Sequence, residues 1–563
     1  MLFDSRQALP FKIYSITQNQ LSWLLAIYIG FFLNLGIFYQ RFFQLSLNFH
    51  IPKAVVFLIE AGVLILLCYG LLRLASLAGS LFFKIIACTL LLISLIASYY
   101  MHFFNIVIGY GVIISTLSLA DAELSKELLD SWFYLWLVTL SALPLWMIWR
   151  NKSTDTLLTR FAQKETRLSS ALLSVLLPIC ILLPLELMHR IHKQHDIKGD
   201  VDMPRYSSVL ASSYLPINWL RGLAIYLDAH VFKYAKEANL FDPSQHFIYQ
   251  ANSDLKNTYV IFIIGETTRW DHLGLLGYPR DTTPQLKQET NLIAFKGIAC
   301  DTATKLSLRC MFVREGGATE DEQRTLTEQN VFAVLRELGF SSEVYSLQNE
   351  GWFYPKTKAN YIESRDTIAA KPENTANPNY DAILLPELQR SLQKYPHGKH
   401  LVILHTKGSH YAYNKRYSAQ FAKFQPDCSD RPESCSMPEL INGYDNTVLS
   451  MDDFMKQVFD QVRNKKAIVF YAADHGESLT ETEHFHATPR HIAPDEQFRV
   501  PILVWASDTF LQEPLHAANF AKLRRQAEQS QSKRHVELFD SVLGCLGFTS
   551  PNGGLNAENN WCD

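Results

Sequence analysis

The sequence predicts a two-part protein: a bundle of membrane-spanning helices, then a doubly wound, largely parallel α/β domain. Three observations carry this. Apolar runs dominate residues 12–188, after which the composition becomes that of a soluble protein. Five of those runs approach the roughly 20 residues a helix needs to cross a bilayer. Beyond residue 255, short β-branched apolar runs alternate with helical patterns, the signature of a parallel sheet covered by helices.

The spans are expected at 17–39, 54–72, 81–101, 131–149 and 168–187. Trp132, Trp136, Trp146 and Trp149 sit toward the ends of the fourth, where an interfacial aromatic belt belongs. The 150–167 loop holds Arg150, Lys152, Arg160, Lys164 and Arg167 against Asp155 and Glu165. Positive charge of this kind marks a cytoplasmic loop. An odd number of spans then leaves the N-terminus in the cytoplasm and everything after residue 190 on the far side. The first run is too long for a cleaved leader and has no small-residue cleavage site after it, so it reads as a retained helix. Glu60 lies inside the second run. An intramembrane carboxylate is costly and points to function, with a solvated span end as the alternative.

At 563 residues the chain exceeds what one core holds. We divide it into a five-helix membrane domain (1–189), a connector (190–254) and a catalytic domain (255–563). The connector segment 217–238 has an amphipathic helical mix that suits a helix lying on the membrane surface, with ordinary packing as the alternative. Residues 349–382, rich in Asn, Pro and Lys, read as a long surface loop. With 52 Lys and Arg against 55 Asp and Glu, the charge balance argues against a nucleic-acid partner.

Cysteine usage agrees with export. Cys68, Cys88 and Cys180 fall inside spans as small apolar residues. Cys300, Cys310, Cys428, Cys435, Cys545 and Cys562 fall in the exported part, which favours disulfides over a zinc ribbon because there is no C-x-x-C. Several connectivities are open; neighbour pairing is the simplest.

The chemistry lies at the strand ends. YVIFIIGE runs into Glu266, AIVFYAADH into Asp474 and His475, and LVILHTKGSH into His405 and His410. In open α/β sheets, ligands bind beyond the carboxyl ends of the strands. A carboxylate, an Asp-His pair and histidines gathered there make a metal site with zinc-type donors and an open position. The missing partner is a nucleophile. CDTATKLSLRC at 300–310 presents Thr302, Thr304 and Ser307 on a loop that two cysteines would clamp, and a metal would activate such a hydroxyl.

GETTRWDHLGLLGYPRDTTPQL, CDTATKLSLRCMF, LHTKGSHYAYNKRY, YAADHGES and HATPRHIAPDEQFRVPILVW together resemble the phosphoethanolamine transferases of Gram-negative bacteria. The resemblance covers nearly the whole chain. Within that family, CDTAT with Lys305 and Arg309, the KGSH stretch and the C-terminal LGCLGFTSPNGG are similar to the branch acting on the Kdo sugar of lipopolysaccharide. It implies an inner-membrane enzyme with an alkaline-phosphatase/sulfatase-like periplasmic domain. It further implies Zn2+ held by Glu266, Thr304, Asp474 and His475, with Thr304 as nucleophile. His410 and His486 match two further site histidines that serve phosphate, a second divalent ion or a proton. A Cys-bonded loop with a Lys, known in the lipid A branch, has no counterpart in NEGWFYPKTKAN.

The implied reaction moves phosphoethanolamine from phosphatidylethanolamine to lipopolysaccharide through a phosphothreonine-type intermediate, releasing diacylglycerol. Glu123, in the outer 101–130 loop, is a candidate contact for the donor headgroup. The protein is expected to work as a monomer. Transfer to a lipid A phosphate or a core heptose is the alternative acceptor reading. A periplasmic phosphatase or sulfatase, a five-span glycerol-phosphate polymerase and a non-catalytic lipid-binding sensor are the rival classes. The sulfatase lacks its C/S-x-P-x-R stretch here, the phosphatase has no need of five spans, the polymerase fits a Cys-clamped loop poorly, and the sensor predicts a missing ligand or nucleophile.

Overall fold

A computed structural model describes residues 16–44, 52–103, 107–117, 131–151, 164–196, 213–229, 240–428, 435–479, 486–490 and 493–563. Glu123 and most of the charged residues of the 101–130 and 150–167 loops lie outside these. The chain forms two compact units, one from Met1–Met101 and Leu129–Asn218, the other from His102–Leu128 and Trp219–Asp563.

The first unit is helical. Gln18–Tyr39, Lys53–Leu77, Ser80–Phe103 and Ser131–Arg150 are long and apolar enough to cross a membrane. The fifth expected span is present as part of a helix, Lys164–Asp196. Its apolar stretch, Leu168–Pro184, is shorter than the other four. Large apolar side chains such as Phe43, Leu58 and Leu143 are more than 60% exposed, which suits lipid contact and no aqueous surface. Trp132, Trp146 and Trp149 are also exposed. Thr17 starts the first helix with a capping box to Gln20.

Glu60 is not a solvated end residue. It is 2% exposed, paired with Arg41 (Nη2 to Oε1 2.8 Å, Nε to Oε2 3.0 Å) and hydrogen-bonded by the Tyr214 hydroxyl. A buried carboxylate in apolar surroundings persists only with such partners. Nearby, Asn34 exchanges hydrogen bonds with the backbone of Leu215, Nδ2 donating to its carbonyl (3.0 Å) and Oδ1 accepting from its N–H (2.8 Å).

The second unit is built on a sheet. Its strands in chain order are β1 (Gln250–Ala251), β2 (Thr258–Gly265), β3 (Leu292–Ile298), β4 (Phe340–Ser346), β5 (Tyr361–Glu363), β6 (Lys399–His405), β7 (Lys466–Ala473), β8 (Arg499–Ala506), β9 (Lys533–Arg534) and β10 (Phe548–Thr549). Eight of them form one sheet in the order β5-β4-β6-β2-β7-β8-β3-β9, while β1 and β10 pair separately. All neighbours are parallel except β8, which runs against both β7 and β3. The expected strand at 499–507 is thus real and reversed. A strand buried on both faces has no alternation from which its direction could be read.

Side chains alternate across this sheet into two cores. Val260, Phe262 and Ile264 face one, with Ile403, Phe470 and helices Val331–Glu337 and Leu538–Cys545. Ile261 and Ile263 face the other, with Val402, Val469 and helix Met437–Val462. Each such side chain, fully buried, contributes about 1.5–3 kcal/mol. β2 has no exposed residue, as a central strand covered on both faces requires.

Residues 349–382 are not a plain surface loop. Phe353, Tyr354, Thr357 and Ile368 are buried, and the segment holds the turn Tyr354–Thr357, β5 and helix Arg365–Ala369. The aromatic and β-branched residues outweigh the Asn, Pro and Lys around them. Of the helical segment expected at 217–238, Ile217–Leu227 is described and helical.

Candidate active site

The two central strands set the site. β2 and β7 pair in register with Gly265 opposite Ala473, so Glu266 and Asp474 leave the sheet side by side. Ile264 pairs with His405 on the other flank. Glu266, Asp474 and His475 are fully buried, with ligand atoms within 4.8 Å of one another.

Each of the three is oriented from behind. His475 Nδ1 lies 2.8 Å from the Gly476 carbonyl, a bond only Nδ1–H can make, which turns Nε2 toward the carboxylates. Nε2 sits 3.4 Å from Glu266 Oε1 and 3.5 Å from Asp474 Oδ2. Asp474 Oδ1 accepts from the N–H groups of Thr267 (3.1 Å) and His475 (2.8 Å). Asp474 Oδ2 is buried without a hydrogen-bond partner. Burial raises the Asp474 carboxyl and the charge on Glu266 raises it further. Burial would lower His475, but Asp474 and Glu266 outweigh it and raise the imidazole. Two carboxylates, an imidazole and an orphaned oxygen in one dry site call for a cation, and the donor set fits a divalent metal.

The clamped loop resolves which hydroxyl faces this set. Cys300 and Cys310 are bonded (S–S 1.98 Å), as are Cys428 with Cys435 and Cys545 with Cys562. Within the loop, the Thr302 hydroxyl donates to the Thr488 carbonyl (2.6 Å) and Ser307 to that of Asp301 (3.1 Å). The Thr304 hydroxyl instead donates to Glu266 Oε2 (3.2 Å) and lies 3.3 Å from His475 Nε2. Buried Arg324 holds the loop's start through Asp301 Oδ2 (3.1 Å) and the Cys300 carbonyl (2.6 Å).

The histidines divide. His410 and His486 meet edge to face near the centre, with ring centroids 5.7 Å apart, and the His486 ring lies 4.5 Å from that of His475. His410 is buried, its Nδ1 without a hydrogen-bond partner, and burial together with the Lys407 charge holds its imidazole well below the usual range. His486 Nδ1 is 3.4 Å from Glu477 Oε2. His405, which the strand ends also pointed to, stands outside the metal-type cluster. Its Nδ1 meets the Tyr354 hydroxyl at 2.9 Å, and burial lowers it to about 4, as for a neutral core histidine.

Two residues at the centre escaped sequence reasoning. Thr267 takes φ +57°, a conformation rare for a β-branched residue, and its hydroxyl donates to Glu266 Oε1 (2.6 Å). Gln348 Nε2 donates to Glu266 Oε2 (2.9 Å). Thr267 lay inside the GETT stretch; nothing marked Gln348.

Comparison with known proteins bears on this geometry. Residues 65–216 match the family described as phosphoethanolamine transferase EptA/EptB, and residues 258–548 match the sulfatase family. The chain is 50% identical over 550 residues, 98% of each chain, to the Kdo(2)-lipid A phosphoethanolamine 7''-transferase of Escherichia coli (strain K12). The chain belongs to the phosphoethanolamine transferase family. The transferase is 51% identical, with the same coverage, to the protein of that name from Salmonella typhimurium (strain LT2). In three dimensions it is similar to the integral membrane protein lipooligosaccharide phosphoethanolamine transferase A from Neisseria meningitidis. That match has a TM-score of 0.78 at 25% identity, covering 96% of this chain and 97% of the other. The transferase is therefore a membrane protein with a soluble C-terminal domain, and its long apolar helices fit the inner membrane with that domain in the periplasm.

Proposed function

We propose that this transferase moves phosphoethanolamine from phosphatidylethanolamine to a Kdo sugar of lipopolysaccharide, with Thr304 as nucleophile. The observation that carries the reading is the position of Thr304. Of the hydroxyls on the clamped loop, its Oγ1 is the one that faces Glu266 and His475. The Kdo acceptor is supported by the names of the two relatives that match nearly end to end.

Glu266, Asp474 and His475 would hold Zn2+, with Thr304 completing the set. When bound, the ion supplies activation of the hydroxyl and neutralisation of charge on the phosphoryl oxygens. Thr304 Oγ1 forms a bond to the donor phosphorus as the bond to the diacylglycerol oxygen breaks, and that oxygen takes a proton. An acceptor hydroxyl then attacks the same phosphorus, gives up its proton, and Thr304 is released. His410 and His486 bind phosphoryl oxygens, carry the proton or hold a second divalent ion. Glu123 contacts the donor headgroup. The enzyme acts as a monomer, since all of these groups come from one chain.

The test is mass spectrometry of lipopolysaccharide fragments from matched cells expressing the wild type or Thr304→Ala. Phosphoethanolamine on the Kdo fragment with wild type alone is the expected result; removal of such a nucleophile costs about 10³-fold or more. Modification of a lipid A phosphate or a heptose would overturn the acceptor. Identical fragments from both strains would overturn transfer and favour a hydrolase or a lipid-binding sensor.

A further inference from the structure

Gln348 lies two residues beyond the end of β4 and is 5% exposed. Its amide works in both directions. Nε2 donates to Glu266 Oε2 (2.9 Å) and to the Thr406 carbonyl (3.1 Å), while Oε1 accepts from Lys407 Nζ (3.5 Å). The orientation of the amide follows from this network. An ammonium has only donors and a carboxylate only acceptors, so oxygen must face Lys407 and nitrogen must face Glu266.

The backbone that presents Gln348 is itself pinned. Gln348 N–H donates to Ser346 Oγ, and Ser346 Oγ lies 2.9 Å from the Gln348 carbonyl, which also accepts from the Tyr354 hydroxyl (3.3 Å). On the opposite side of the carboxylate, Thr267 Oγ1 donates to Oε1. Glu266 is thus gripped at each oxygen by one neutral donor, and the remaining lone pairs are turned toward Thr304 and His475.

We propose that Gln348, backed by the buried ammonium of Lys407, is a positioning residue that fixes the carboxylate of Glu266 for metal binding. The neutrality of the amide is the point of the arrangement. A lysine in direct contact would neutralise Glu266 and compete with the metal for it. One amide further away, the same charge offsets the burial of an anion while leaving both oxygens available to a cation. Partners in this position typically tune metal affinity by about 10–100-fold.

This inference rests on Glu266 being a ligand, and the experiment separates the two. Zinc affinity of the full-length protein in detergent is measured by competition with a chromophoric chelator, and the Co2+-loaded protein by visible absorption. Glu266→Gln tests the ligand; Gln348→Leu and the length-preserving Gln348→Met test the positioning. The expected result is zinc affinity at least tenfold weaker for either Gln348 variant, with shifted cobalt bands. Either a loss below tenfold, or a larger one with unshifted cobalt bands, overturns the proposal, even when Glu266→Gln abolishes binding. Unchanged affinity for Glu266→Gln overturns the ligand assignment instead. Should Gln348→Leu fail to fold, Gln348→Met decides alone.

Discussion

Gly408 lies against the backbone of Glu266: a Cβ at position 408 would fall 2.5 Å from the Glu266 carbonyl oxygen. Gly408 also takes φ +50°, where an L side chain costs about 1–2 kcal/mol. The loop after β6 can approach Glu266 because this residue has no side chain. Gly408→Ala is expected to displace Glu266 and lower the transfer rate by about 100-fold, with the fold retained. Steady-state kinetics beside a circular dichroism spectrum check this, and wild-type turnover would show that the close approach is dispensable.

The Cys300–Cys310 bond closes a ten-residue separation around Thr304. Removing it with a Cys300→Ser/Cys310→Ser pair is expected to cost about 2–4 kcal/mol, a fall of roughly 5–10 °C in Tm. Activity is expected to fall further than stability does, because the loop carries Thr304, the proposed nucleophile. Differential scanning fluorimetry and the transfer assay, run on the same preparation, separate the two effects.

Asp452, on helix Met437–Val462, accepts from the N–H groups of Leu286 (2.9 Å) and Gln285 (3.0 Å). Burial pushes its carboxyl up to about 6. Between roughly pH 4 and 6 the native state therefore holds a proton that the unfolded chain has released, so stability falls as pH rises through that window. Against Asp452→Asn, which cannot titrate, the wild type is expected to lose up to about 3 kcal/mol between pH 4 and 7. Denaturant titrations of both proteins at several pH values measure the difference, and parallel curves would refute it.

Glu60 and Arg41 form a pair buried to within 2% of full exclusion. Glu60→Leu takes the paired carboxylate away from a buried guanidinium and is expected to cost about 3–5 kcal/mol. The double variant Arg41→Leu/Glu60→Leu removes both charges and is expected to recover most of that loss. Thermal denaturation in detergent would show this as a double-mutant cycle with strong coupling; additive losses would mean that the charges do not depend on each other.

Much of the catalytic unit was legible because its strands announce themselves. YVIFIIG and AIVFYAA are apolar throughout, and each runs abruptly into a charged or polar group at the carboxyl end of its strand. That contrast pointed to Glu266, Asp474 and His475. The direction of β8 was not legible, since its pairing depends on neighbours and its own pattern is the same either way. Gln348 was invisible for a related reason. It meets Glu266 across 82 residues of sequence, from the end of a strand pattern in which nothing set it apart. Among Thr302, Thr304 and Ser307 the residues alone left the choice open and the family resemblance singled out Thr304; the folded loop adds which hydroxyls are already engaged.

The pairing of Gly265 with Ala473 also bears on the order in which the molecule is made. Thr267 and Asp474, hydrogen-bonded at the centre, are 207 residues apart in the chain. Asp474 and His475 are neighbours in the chain, but Glu266 joins them only when the middle strands pair. A divalent ion bound there would find its full donor set only after that pairing, as a last fastening rather than as a template. Its binding energy would then fall mostly on the folded form, and an ion present at a hundred times its Kd would add about 2.7 kcal/mol to the stability of that form.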